Sequence, residues 1–131
     1  MDEAYVETPR RATETAEKVR TAVLNIFPEA QLTVGKGITG KAGSLDRLAE
    51  LLQRQHIRAS ARELLKGSIQ ENRLVFYLNK QAAYAGRVSF SAHAPLGDIC
   101  VTVVSDDLRG LIENLAPPTI RSGGREPRPA P

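Results

Sequence analysis

The sequence predicts an α+β fold, a mostly antiparallel sheet packed with helices. Two observations carry this. Between residues 73 and 104, three stretches alternate apolar and polar positions with period two (Leu74/Phe76/Leu78, Val88/Phe90/Ala92 and Ile99/Val101/Val103), the signature of strands with one buried face. On either side of them, apolar residues recur at helical spacing. Helices in two blocks around such a sheet belong to the α+β class.

Each element has its own local reason. Ala4–Thr8 is β-capable and ends at Pro9, which cannot donate to a ladder. Thr13-Glu14 reads as a helix start, a hydroxyl cap followed by an acid. Ala16, Val19, Val23 and Ile26 then form one stripe of an amphipathic helix that Pro28 stops. Gln31–Val34 and Ile38–Lys41 are short strand candidates around Gly35 and Gly37. Ser44 is placed to cap a second helix with Leu45, Leu48, Leu51 and Leu52 inward. A third helix is expected over Ser60–Lys66, ending at Gly67. The three alternating runs suggest a meander, with one helical turn over Lys80–Ala85 ending at Gly86 and a turn at Ala94-Pro95-Leu96-Gly97. Asp106 or Asp107 opens a last helix with Leu108, Leu111, Ile112 and Leu115 inward. These elements make a single domain over residues 1–116. From Pro117 onward, prolines, glycines and three arginines leave almost nothing to bury, so 117–131 is expected to be a disordered tail.

The 131 residues, 41% apolar and 25% charged, describe an ordinary globular protein. No run approaches the ~18 apolar residues that span a bilayer, and the acidic opening MDEAYVETPRR is unlike a secretory signal. A lone cysteine, Cys100, allows neither an internal disulfide nor a thiolate zinc cluster. A cytoplasmic protein without a membrane partner is expected. The net charge of +3 conceals its distribution: residues 36–87 hold ten basic and four acidic groups, whereas 1–35 and 88–115 are both acidic.

Gly35-Lys36-Gly37-Ile38-Thr39-Gly40 fits the G-x-G-x-x-G string, and with Lys41 it nearly fits a phosphate loop. The physics of both motifs is missing. Ala42 stands where a Mg²⁺-binding hydroxyl belongs, and no helix opens on Gly40. A glycine-rich turn between two strands explains the string. His56 and His93 are the only imidazoles and lack metal spacing, so no metal or cofactor is expected. Cys100 reads as a packed strand residue, and Asp106-Asp107 as a helix cap with a first-turn acid. No catalytic constellation is present, which makes an enzyme the weakest reading.

The basic middle offers the chemistry of nucleic-acid contact. Arg54, Arg58 and Arg62 fall at i, i+4 and i+8 and would form one ridge on an unbroken helix, which a break near 57–60 would spoil. Lys36 and Lys41 belong to the glycine turn, where backbone amides can also meet phosphates. Arg73, Tyr77, Arg87 and Ser89 interleave on the second face of the meander, as base stacking and phosphate binding would require. A partner-covered sheet face around Tyr77 and Val104 accounts for the same residues, and would make the chain a structural or adaptor dimer.

Several strings resemble a small archaeal protein family, the domain-of-unknown-function fifty-four type. They are Thr13-Glu14 with Glu17-Lys18-Val19, Ala22-Val23-Leu24-Asn25-Ile26-Phe27-Pro28, Gly43-Ser44-Leu45 and Ala61-Arg62. Leu78-Asn79-Lys80-Gln81-Ala82-Ala83 with Gly86 is the most specific, and Pro95-Leu96-Gly97-Asp98-Ile99 completes the set over about residues 4–119. The resemblance implies a fold similar to the large-subunit ribosomal protein L-five type, homodimers and a proposed RNA-binding role. The family motif lands on Asn79, Lys80 and Gln81, with Arg62 as a second basic position. At a strand–turn junction Lys80 can reach a phosphate and Gln81 a base edge, or else Asn79 caps the turn, Ala82 and Ala83 pack and Lys80 is solvated. Thr15-Ala16 departs from the acid and proline usual there, and the Arg/Pro-rich tail is particular to this chain. The reading is therefore a non-enzymatic, homodimeric RNA-binding protein that contacts phosphates through residues 36–87.

Overall fold

The computed structural model describes residues 3–9, 15–91 and 98–117. The helix start at Thr13-Glu14, the turn at 94–97 and residues 118–131 of the expected tail lie outside them. Strand β1 (Glu3–Pro9) turns Ala4, Val6 and Thr8 inward in strict alternation. Helix α1 (Ala16–Ile26) is capped by Thr15, whose hydroxyl accepts from the Lys18 amide. It buries Val19, Ala22, Val23 and Ile26 along one stripe. A hairpin follows, β2 (Gln31–Val34) and β3 (Gly37–Ala42). Gly37 and Gly40 are explained by close approach: a Cβ on Gly37 would sit 2.6 Å from the Thr8 carbonyl oxygen, and one on Gly40 would strike that of Gln31. The glycine string is thus a hairpin, as its residues predict.

Helices α2 (Asp46–Arg54) and α3 (Arg58–Lys66) come next. Ser44 accepts from the Asp46 amide, but Leu45 occupies the cap position, one residue later than the sequence suggests. Helix α3 begins two residues before the expected Ser60. A two-residue strand β4 (Ile69–Gln70) then pairs with β5 (Arg73–Leu78). Its turn holds Glu71 at φ 56, so no glycine announced it. One helical turn, α4 (Lys80–Tyr84), precedes a short strand β6 (Phe90–Ser91). Strand β7 (Ile99–Val104) and helix α5 (Leu108–Leu115), capped by Asp107, complete the described chain.

The sheet has seven antiparallel strands in the order β2-β3-β1-β7-β5-β4, with β6 also on β5. This corrects the meander. Strand β7 does not follow β6 outward but inserts between β5 and β1. Burial decides it: Ile99, Val101 and Val103 are fully enclosed and need neighbours on both sides, whereas β6 is too short to flank them. Val88 therefore lies ahead of the strand, and Arg87 and Ser89 are not on the second sheet face. One face of the sheet carries Val6, Leu74, Phe76, Val101 and Val103 into a single core shared with Phe27, Leu48, Leu52, Leu65 and Ile112 of the helical layer. The Phe76 and Phe90 rings meet with centroids 5.8 Å apart at a tilt of 60°. No helix of the described residues is long and apolar enough to cross a membrane.

Candidate nucleic-acid interface

The Asn79-Lys80-Gln81 motif is built into the fold. Asn79 caps α4 by accepting from the Ala82 amide at 2.8 Å. Lys80 is 7% exposed, and its ammonium donates to the Pro9 carbonyl at 2.7 Å, tying the start of α4 to the end of β1. The Asn25 side chain donates to the carbonyls of Ala83 and Tyr84 at 2.9 and 3.1 Å, holding the other end of α4 to α1. Gln81 alone of the three motif residues is exposed.

The run of Arg54, Arg58 and Arg62 does not form one ridge, because the helix breaks at Gln55–Ile57 and His56 adopts φ 58. Arg54 lies on α2 beside Glu50 at 3.0 Å. Arg62 faces α5, where its guanidinium forks onto both carboxylate oxygens of Glu113, one at 2.6 Å, and also reaches the Ala116 carbonyl at 3.4 Å. This pairing holds the Glu113 carboxyl below its ordinary range and raises the Arg62 guanidinium further. Arg58, at the opening of α3, has no ion pair among the described residues.

A side chain that the sequence reading missed sets the geometry here. The Gln55 amide donates to the Val88 carbonyl at 2.9 Å and accepts from the Val88 amide at 2.7 Å, imitating a strand pair. It fastens the α2–α3 corner to the segment leaving α4, so Arg87, which is exposed, shares a corner with Arg54, His56 and Arg58. Beside it runs a groove with an apolar floor of Ile57, Ala61, Leu64 and Phe90, edged by Ser60, Arg87 and Ser89. Nothing in the pattern around Gln55 distinguishes it from a solvated glutamine; only the fold reveals it.

The remaining cations lie elsewhere. Lys36 is exposed at the tip of the β2–β3 hairpin. Lys41 and Arg73 project from the sheet face that the helices leave bare, Lys41 at 3.7 Å from Glu3. No group of three or more metal-ligating side chains occurs among the described residues. Burial pushes the Cys100 thiol up, away from a reactive thiolate. Asp107 is engaged as the α5 cap, accepting from the Gly110 amide.

A family model described as RNA binding matches residues 3–105. The UPF0201 protein of Methanothermobacter thermautotrophicus is 48% identical over 122 residues, covering 89% of this chain and 92% of the relative. That of Thermococcus onnurineus is 37% identical over 127 residues, covering 91% and 94%. Among solved structures, the UPF0201 protein from Methanococcus jannaschii superposes with a TM-score of 0.81 at 39% identity, covering 89% of this chain and 94% of that one. A protein of the DUF54 family from Methanothermobacter thermautotrophicus shares the fold at a TM-score of 0.59 and 21% identity, covering 87% and 96%.

Proposed function

We propose, from the premise that this chain belongs to the archaeal family of UPF0201 proteins, whose model is described as RNA binding, that it is a cytoplasmic, non-enzymatic, homodimeric RNA-binding protein. The observation that carries the reading is the corner where Gln55 clamps Val88, since it brings the segment of Arg87 to the α2–α3 junction that Arg54 and Arg58 flank. Arg54 and Arg87 are exposed and Arg58 half-buried, and guanidinium groups on a fixed backbone suit phosphate oxygens, which they meet with paired donors. Gln81 on α4 and Lys36 at the hairpin tip extend the same reading as outlying contacts. Arg62, Asn79 and Lys80 act through the fold, holding α3, α4 and β1 in place.

Binding of this kind is dominated by counterion release, so log affinity falls linearly with log salt. Fluorescence anisotropy with labelled RNA, titrated with salt, tests it. The wild type is expected to bind at low salt, with affinity dropping steeply as salt rises. A folded Arg54→Ala/Arg58→Ala/Arg87→Ala protein is expected to bind less tightly and with a shallower slope. No binding by the wild type at low salt, or an unchanged slope in the variant, overturns the reading and favours an adaptor dimer without a nucleic-acid role.

A further inference from the structure

The groove beside the Gln55 corner has chemistry that phosphate contact alone does not use. Ile57, Leu64 and Phe90 on its floor are half-buried, so part of each apolar surface stays open to the groove. One side of the Phe90 ring meets the enclosed ring of Phe76, and strand pairing to Leu78 fixes its backbone. The part that Phe76 leaves uncovered lines the groove. Ser60 and Ser89 stand on the rim, both exposed, and neither hydroxyl has a hydrogen-bond partner among the described residues. The Gln55 amide offers nothing further, since both its groups are engaged by Val88. Arg87 is shared, edging the groove and belonging to the basic corner. The space is about 640 Å³, within the ~300–1,000 Å³ of clefts that hold small molecules. A flat ring with apolar faces and polar edges suits it.

We infer that the groove receives one unpaired base of an RNA strand, with the adjoining phosphate on Arg87, so that the protein selects single-stranded RNA over duplex. The face of the base lies on Ile57, Leu64 and the Phe90 ring. Its edge meets the Ser60 and Ser89 hydroxyls, which both donate and accept and so serve any base. Stacking on an aromatic ring is equally tolerant, because every base has a π face. In a duplex the bases pair and stack on one another, and none is free to enter. Charge decides the occupant. A segment of another protein also covers an apolar floor, but Arg87 is the one charged group among the described residues that line the groove. Arg54 and Arg58 extend the positive charge at the adjoining α2–α3 junction. A polyanion that carries a flat ring beside each charge matches both features. The inference rests on the reading of the chain as RNA-binding and names the form of RNA it takes.

Fluorescence anisotropy with a short labelled RNA of mixed sequence, alone and annealed to its complement, tests this at one fixed salt concentration. The single strand is expected to bind the wild type more tightly than the duplex, although the duplex carries the denser charge. Phe90→Leu keeps an apolar side chain against Phe76 and removes the ring. It is expected to weaken single-strand binding about 5- to 20-fold, the lower part of what one base–aromatic stack supplies, with duplex binding and the salt slope unchanged. Ser60→Leu, at an exposed helical position, fills the groove from its rim without altering charge or core. It is expected to do the same with its circular dichroism unchanged. Equal affinity of the wild type for strand and duplex, or a single-strand affinity that survives both variants, overturns the groove and leaves the phosphate corner standing. No binding of either RNA at low salt overturns the RNA reading and the groove with it. In that event, a labelled peptide alternating glutamate and leucine that binds the wild type and not Ser60→Leu assigns the groove to an acidic protein segment instead.

Discussion

Lys80 shows how far a residue's type is from its role. Its ammonium is enclosed, donating to the Pro9 carbonyl at 2.7 Å. The sequence displays a lysine between a strand and a helical turn, and such a lysine reads as a phosphate contact or as a solvated cation, neither of which is an enclosed one. The direction depends on where β1 ends, 71 residues earlier in the chain, which no local pattern specifies. Asn79 was legible because its partner, the Ala82 amide, is three residues away. Gln55 and Asn25 were not, because their partners are 33 and 58 residues distant. Lys80→Met keeps the apolar stem and removes the donor. It is expected to cost about 1.5–3 kcal/mol, the net worth of a hydrogen bond from a charged group, in urea unfolding. RNA affinity of the folded variant at fixed salt should be unchanged. A variant of wild-type stability that has lost RNA binding would return Lys80 to the contact surface.

Elements were legible where their own residues determine them. The stripe of α1 and the alternation of β5 and β7 are local patterns, and the structure keeps them. The order of strands was not legible, since it is settled by which strand can supply burial on both sides. The break between α2 and α3 was expected near 57–60, but its exact place was hidden, for it falls at His56 in the left-handed region, where neither glycine nor proline marks it. That backbone suggests a test. His56→Gly relieves the steric cost of a side chain at positive φ and is expected to stabilise by up to about 1 kcal/mol, while His56→Val is expected to destabilise by at least as much. Equal stabilities in thermal unfolding would refute the strained break. A second junction joins α3 to α5 through Arg62 and Glu113. Because the Glu113 carboxyl is depressed in the folded chain, the pair contributes stability fully above the ordinary glutamate value, near 4.3, and loses it as pH falls through the lower folded value. Melting temperatures of the wild type and Glu113→Gln should differ at neutral pH and converge in acid. A difference that grows on acidification would contradict the assignment.

At the scale of the whole molecule, the net charge of +3 is a poor guide and its placement a better one. The bare sheet face is balanced, with Lys41 close to Glu3 and with Glu7 and Arg73 in the flanking strands. Residues 118–131 supply +2 of the total, with Arg121, Arg125 and Arg128 against Glu126, while on the helical side Arg58 and Arg87 have no ion pair among the described residues. Even Arg54 stays largely exposed beside Glu50. The sequence located the basic segment, 36–87, but could not divide it between two faces, because that division follows from strand register and from the clamp at Gln55. The arginines of the helical side and the cations of the sheet face can therefore be tested separately. Each phosphate neutralised on a single strand contributes about 0.7 to the log–log salt slope. Removing Arg54, Arg58 and Arg87 together should flatten that slope by about 2 if each meets one phosphate. Lys41→Ala/Arg73→Ala should leave it unchanged, since those side chains project from the other side of the sheet. Gln55→Ala removes no charge but frees the loop that carries Arg87, so it should weaken binding while keeping most of the slope. A slope that responds to Lys41 and Arg73 and not to the three arginines would place the RNA on the sheet, and would turn the molecule around.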